Sequence, residues 1–166
     1  MTASARSRPT RGREEERAMG LVGGHATATR RAVVEVLVGS DRLLTAQQIL
    51  EGARRRAPAT GLATVYRTLE RLEGAEAVKR ATFASGQAGY AYCPPEHHDH
   101  AICLECGRLQ PLSPCLVART EVPQGFAVSS HTLDFYGLCA ACAAARGATA
   151  TATAAAAAAA TRRRPG

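Results

Sequence analysis

Six cysteines and five histidines are the residues of this 166-residue chain best suited to hold an ion, and they are unevenly spread. All six cysteines lie between 93 and 142 and four of the histidines between 97 and 131, whereas the first 84 residues hold only His25. Cys103-Leu104-Glu105-Cys106 and Cys139-Ala140-Ala141-Cys142 are two CxxC pairs separated by 32 residues. Each pair can give zinc two thiolates from one tight knuckle, and together they complete a closed tetrahedral site of four sulfurs. A redox CxxC is the competing chemistry, but two such pairs in one short segment favour structural zinc.

A second cluster runs Cys93-Pro94-Pro95-Glu96-His97-His98-Asp99-His100. If 97–100 is extended, alternation sends His98 and His100 to one side and His97 and Asp99 to the other, so one strand can serve two ions. Cys93 can join His98 and His100, and the soft thiolate in that set favours zinc over iron. On the other side, His97 and Asp99 can be completed by His131 and by Glu121 or Cys115. The plainer alternative is a solvated polar strand. The zinc site of a nucleobase deaminase does not fit the same residues: it needs His-x-Glu and a proline before its CxxC, but no His-x-Glu occurs and Ile102 precedes Cys103. Neither a Ser-His-Asp arrangement nor a phosphate loop is present, so no catalytic machinery is expected.

The elements that position these residues can be read from periodicity. Ala32, Val33, Val36 and Leu37 predict a first helix over 27–38, which Gly39 can cap. Thr45 with Gln48 forms a capping-box pattern for a second helix ending near Arg56. A third helix is expected over 63–74, with Val65, Leu69 and Leu72 inward. Strands over 77–83 and 88–93 flank Ser85-Gly86-Gln87, a hairpin. Three helices and a hairpin make a winged helix-turn-helix. The fold expected is α+β: a disordered tail (1–24), a winged-helix domain (25–84), a metal-binding α/β dimerisation domain (85–145) and a low-complexity Ala/Arg tail (146–166).

Charge follows this division. The chain carries +7 in all, with +4 over 25–84 and −3 over 85–145, which assigns a polyanion partner to the first half. The third helix fits the recognition role: Thr64, Tyr66 and Arg67 lie in its first turns, where base edges are read. Lys79 and Arg80 in the wing, and Arg30 and Arg31 at the first helix, are expected on phosphates. The alternative for Arg67 and Arg71 is a solvated helix face. No apolar run approaches the ~20 residues of a membrane span, and the N-terminus lacks the apolar core of a secretory signal. A cytoplasmic protein is expected, with neither a membrane partner nor a small-molecule substrate.

The segments Gly-Leu-Ala-Thr-Val-Tyr-Arg-Thr-Leu (61–69), His-His-Asp-His-Ala-Ile-Cys-Leu-Glu-Cys-Gly (97–107) and His-Thr-Leu-Asp-Phe-Tyr-Gly-Leu-Cys-Ala-Ala-Cys (131–142) resemble the ferric uptake regulator family. The resemblance covers roughly 26–143. It implies a homodimeric, metal-dependent repressor of metal-uptake genes that binds an operator in double-stranded DNA, with Tyr66 and Arg67 at base-reading positions and structural zinc at Cys103, Cys106, Cys139 and Cys142. Iron-sensing members place a histidine where this chain has Leu43 and a glutamate where it has Ala91. Cys93 with His98 and His100 looks instead like the zinc uptake regulator branch. Some of that branch add an aspartate in the wing, where Lys79 stands here. The helix after the first CxxC looks shortened around 116–124, and an aspartate characteristic of peroxide-sensing relatives falls at Pro111. The expected regulatory ion is therefore zinc, with iron(II) the alternative; a zinc-carrying thiol module without a DNA role is the remote one.

Overall fold

The computed structural model describes residues 11–93, 99–112, 122–127 and 133–147. Four helices come first: α1 (Arg11–Val22), α2 (Ala28–Val38), α3 (Ala46–Arg54) and α4 (Leu62–Gly74). A hairpin of β1 (Val78–Thr82) and β2 (Ala88–Tyr92) follows, then β3 (Asp99–Cys103), β4 (Leu109–Leu112), β5 (Asp134–Gly137) and α5 (Ala140–Ala145).

Helices α2 to α4 lie where periodicity predicts them. Thr27 caps α2 by accepting from the Arg30 amide. At α3 the capping box is complete: the Gln48 amide donates to Thr45 Oγ1 at 3.2 Å, and the Thr45 amide donates to Gln48 Oε1 at 2.8 Å. Val33, Leu37, Ile49, Val65, Leu69 and Leu72 are buried together in the helical core.

Helix α1 corrects the expectation of disorder over residues 11–22. Ala18 and Val22, one turn apart, are fully buried in the core, and Met19 packs against it. Arg71 Nη1 donates to the Val22 carbonyl at 2.8 Å, satisfying an acceptor that the helix end leaves open. Arg11 Nη2 donates to Glu35 O at 3.2 Å, near the end of α2. A 12-residue helix is marginal alone, so this segment owes its helix to docking.

β1 and β2 pair antiparallel from Val78↔Tyr92 to Thr82↔Ala88, with Gly86 at φ +84° in the turn. Leu44, between α2 and α3, exchanges both backbone hydrogen bonds with Tyr90. Tyr90 and Tyr92 are buried in the helical core. A domain boundary at 84/85 therefore falls inside the hairpin turn, between β1 and its partner β2.

The second sheet has the order β4-β3-β5, with β3 antiparallel to β4 and parallel to β5. Pro111 sits on β4 at the edge of this sheet, where a missing N–H costs nothing. The two halves share a small apolar core of Leu43, Ala81, Ala91 and Ile102, with Phe83 and Leu109 against it. Two glycines allow this approach. A Cβ on Gly89 would stand 2.6 Å from the Phe83 ring, and one on Gly107, whose φ is +72°, would stand 2.9 Å from Leu43 O.

Candidate metal centre

Cys103 ends β3, and the following turn brings Cys106 back beside it; the Gly107 amide closes this turn onto Cys103 O at 2.9 Å. The parallel register Cys103↔Gly137 then delivers Cys139 next to the first pair. Cys139 caps α5 and Cys142 lies one turn along it. The ligand atoms of Cys103, Cys106, Cys139 and Cys142 all lie within 4.8 Å of one another.

The spacing matches one ion closely. Zinc–sulfur bonds of about 2.3 Å in a tetrahedron set the sulfurs about 3.8 Å apart, and Cys106 and Cys139 Sγ are 3.8 Å apart. The Cys139 amide donates to Cys103 Sγ at 3.3 Å. Burial pushes the Cys103 thiol up, but backbone N–H groups of Cys106, Cys139 and Glu105 outweigh it and bring it down to about 6. The Cys142 amide and thiol lower Cys139, whereas the Cys139 side chain first, then burial, push Cys142 up to about 12. Cys103 and Cys139 are thus drawn toward thiolate while Cys142 is held protonated, and a soft dication removes that conflict.

A second pair spans the junction between the halves. The Cys93 amide donates to Ala77 O at 2.9 Å, fixing the residue at the foot of the wing. Its Sγ lies 3.4 Å from Nε2 of His100, which is buried on β3. Zinc bonds of about 2.3 Å to sulfur and about 2.05 Å to nitrogen span about 3.6 Å in a tetrahedron, so the pair fits a shared ion. Burial pushes the Cys93 thiol up, Lys79 opposes that shift, and Asp134 adds to it.

Of the remaining predicted ligands, Asp99 is buried at the start of β3. His97, His98, His131, Glu121 and Cys115 lie outside the described residues, as does the segment of the shortened helix up to Glu121. Lys79 is a correction. It does not extend outward toward phosphate: its Nζ meets Asp134 Oδ1 at 2.5 Å and lies 3.4 Å from His100 Nδ1. Position 79 alternates inward on β1 while Arg80 faces solvent, its guanidinium 5.9 Å from the Tyr90 ring. Arg30 Nη1 donates to Gly23 O and His25 O at 2.8 Å each. Asp134 carried no role in the sequence reading; only the β3–β5 register, His100↔Asp134, brings it to this junction.

On α4, Tyr66 and Arg67 are exposed and Thr64 is half-buried. Arg71, by contrast, is spent on the end of α1, and Arg54 Nε on Thr60 O.

A winged helix packed against a small sheet that carries a four-cysteine cluster defines a metal-carrying winged-helix protein. Residues 22–136 match the ferric uptake regulator family, and the chain belongs to that family. It is 33% identical to the ferric uptake regulation protein of Cupriavidus metallidurans over 123 residues, 71% of this chain and 86% of that protein. It is 31% identical to the zinc uptake regulation protein of Mycobacterium tuberculosis over 128 residues, 75% of this chain and 98% of that one. The solved ferric uptake regulator of Helicobacter pylori, described as having three functional metal binding sites, matches with a TM-score of 0.58 at 25% identity, covering 81% of this chain and 94% of that one.

Proposed function

We propose that the chain is a zinc-responsive, DNA-binding transcriptional repressor of metal-uptake genes, acting in the cytoplasm as a homodimer on a double-stranded operator. It is a regulator, and no residue is assigned a catalytic role. The observation that carries the reading is the meeting of Cys93, from the foot of the wing, with His100, from the central strand of the metal half. Ligands drawn from both halves make the orientation of the wing depend on the occupancy of one site. Cys93, His98 and His100 would hold the regulatory zinc, which would tie the wing to the metal half; Cys103, Cys106, Cys139 and Cys142 would hold the structural ion.

The winged-helix domain takes in the β1–β2 hairpin, and the metal half holds β3 to α5. Tyr66 and Arg67 read base edges, Thr64 supports them, and Arg80 meets phosphate. Exposed Phe135, Tyr136 and Leu138 offer a second copy an apolar edge beside β5. His97, Asp99 and His131, with Glu121 or Cys115, are assigned to a second regulatory site.

An iron-responsive regulator is the near alternative. Against it, Leu43 and Ala91, where the resemblance puts ligands of iron members, are buried in one apolar cluster, and Cys93 offers a soft thiolate. The test is to titrate the full chain with buffered zinc, iron(II) or manganese(II) while following its binding to a duplex selected from a random pool. Zinc should raise DNA affinity and Cys93→Ser should remove the response. A response to iron with none to zinc would overturn the zinc assignment.

A further inference from the structure

We propose that Asp134 is a positioning residue of the Cys93–His100 site, one carboxylate serving two masters: it orients His100 for metal and neutralises Lys79. The inference rests on the metal-site reading above and deepens it. His100 presents Nε2 to Cys93 at 3.4 Å and Nδ1 to Asp134 Oδ1 at 3.4 Å. A metal on Nε2 requires the ring proton on Nδ1. The Asp134 carboxylate and the Lys79 ammonium both lie 3.4 Å from Nδ1: the ammonium, a donor only, bonds Nδ1 when that nitrogen is unprotonated, whereas the carboxylate accepts once Nδ1 carries the proton that a metal on Nε2 requires. A ligating histidine whose other nitrogen donates to a carboxylate is held in one tautomer and one orientation.

Lys79 adds the second part. Its ammonium lies 3.4 Å from Nδ1, and an uncompensated cation there opposes a dication on the same ring. Asp134 Oδ1 meets that ammonium at 2.5 Å, and the two side chains are only 17% and 12% exposed. Lys79 belongs to β1 of the wing and Asp134 to β5 of the metal half, so the ion pair also joins the halves at the same place as the metal ligands.

The experiment compares the full-length wild type with Asp134→Asn, Lys79→Met and Cys93→Ser. Nitrogen-15 NMR reads the His100 tautomer in the metal-free neutral ring, assigned by its loss in His100→Gln. Cobalt(II) titration reads the four-sulfur site and the Cys93 site separately by their thiolate bands. The wild type should carry the proton on Nδ1. Asp134→Asn should lose that preference and weaken the Cys93 site by about 10- to 100-fold while leaving the four-sulfur band intact. Lys79→Met should keep both the tautomer and the affinity. Wild-type affinity and tautomer in Asp134→Asn would overturn the proposal, as would Lys79→Met reproducing the loss, because the carboxylate would then act only through the ion pair. A second cobalt equivalent indifferent to Cys93→Ser would instead overturn the site itself.

Discussion

Four sulfurs within 4.8 Å of one another cannot all be thiolates unless a cation lies among them. The two extremes set the pH dependence: Cys103 is drawn down to about 6 and Cys142 is pushed up to about 12, from an ordinary value of 9.0. Near neutrality the first is a thiolate and the second a thiol, so metal capture must release protons. The apparent zinc affinity of the four-sulfur site should therefore rise with pH by about tenfold per unit for each proton released. Competition with a chromophoric chelator at several near-neutral pH values measures this, and a flat profile would refute it. In the metal-free chain the sign for Cys103 is that of a depressed group: its stabilisation is present at alkaline pH and lost as pH falls through about 6. The four cysteines were legible in the sequence because both CxxC pairs are local. Lys79 was not, because its inward direction depends on which face of β1 meets β5.

Elements differ in how much of their stability is local. Helix α3 announces itself by Thr45 and Gln48, whose reciprocal hydrogen bonds lie within one turn, and α4 by its inward Val65, Leu69 and Leu72. Helix α1 carries charged residues and two glycines, and its buried stripe is only Ala18 and Val22 with part of Met19. Its decisive contact comes from Arg71, 49 residues away, which no window along the chain can reveal. Docking predicts that Val22→Ala costs about 2 kcal/mol of global stability in urea unfolding, from lost methyl burial and the space left behind. Arg17→Ala, at an exposed position of the same helix, should leave the midpoint unchanged. If α1 were a detached segment, neither variant would move it.

Across the whole molecule, the charge of +7 conceals a division of labour: +4 lies in residues 25–84 and −3 in 85–145. The structure narrows the basic share further, since Arg30, Arg54, Arg71 and Lys79 are engaged within the fold. Arg67 and Arg80 remain exposed. Other exposed cations, Arg31 and Arg55 among them, keep a nonspecific attraction; on the proposed reading, specific DNA affinity depends on how the wing and α4 are held across the Cys93–His100 junction. If metal and operator favour the same arrangement of the halves, each must tighten the other by one common factor. Zinc titrations of the regulatory site should therefore shift to lower free zinc when operator duplex is present, by the same factor by which zinc tightens DNA. Arg67→Ala should weaken DNA binding while leaving the zinc affinity of the free protein unchanged, because its side chain lies on the exposed face of α4. Cys93→Ser should remove the coupling in both directions, leaving the weak, salt-sensitive binding of the remaining cations. Unequal factors in the two titrations would mean that the regulatory metal and the DNA do not act on the same equilibrium.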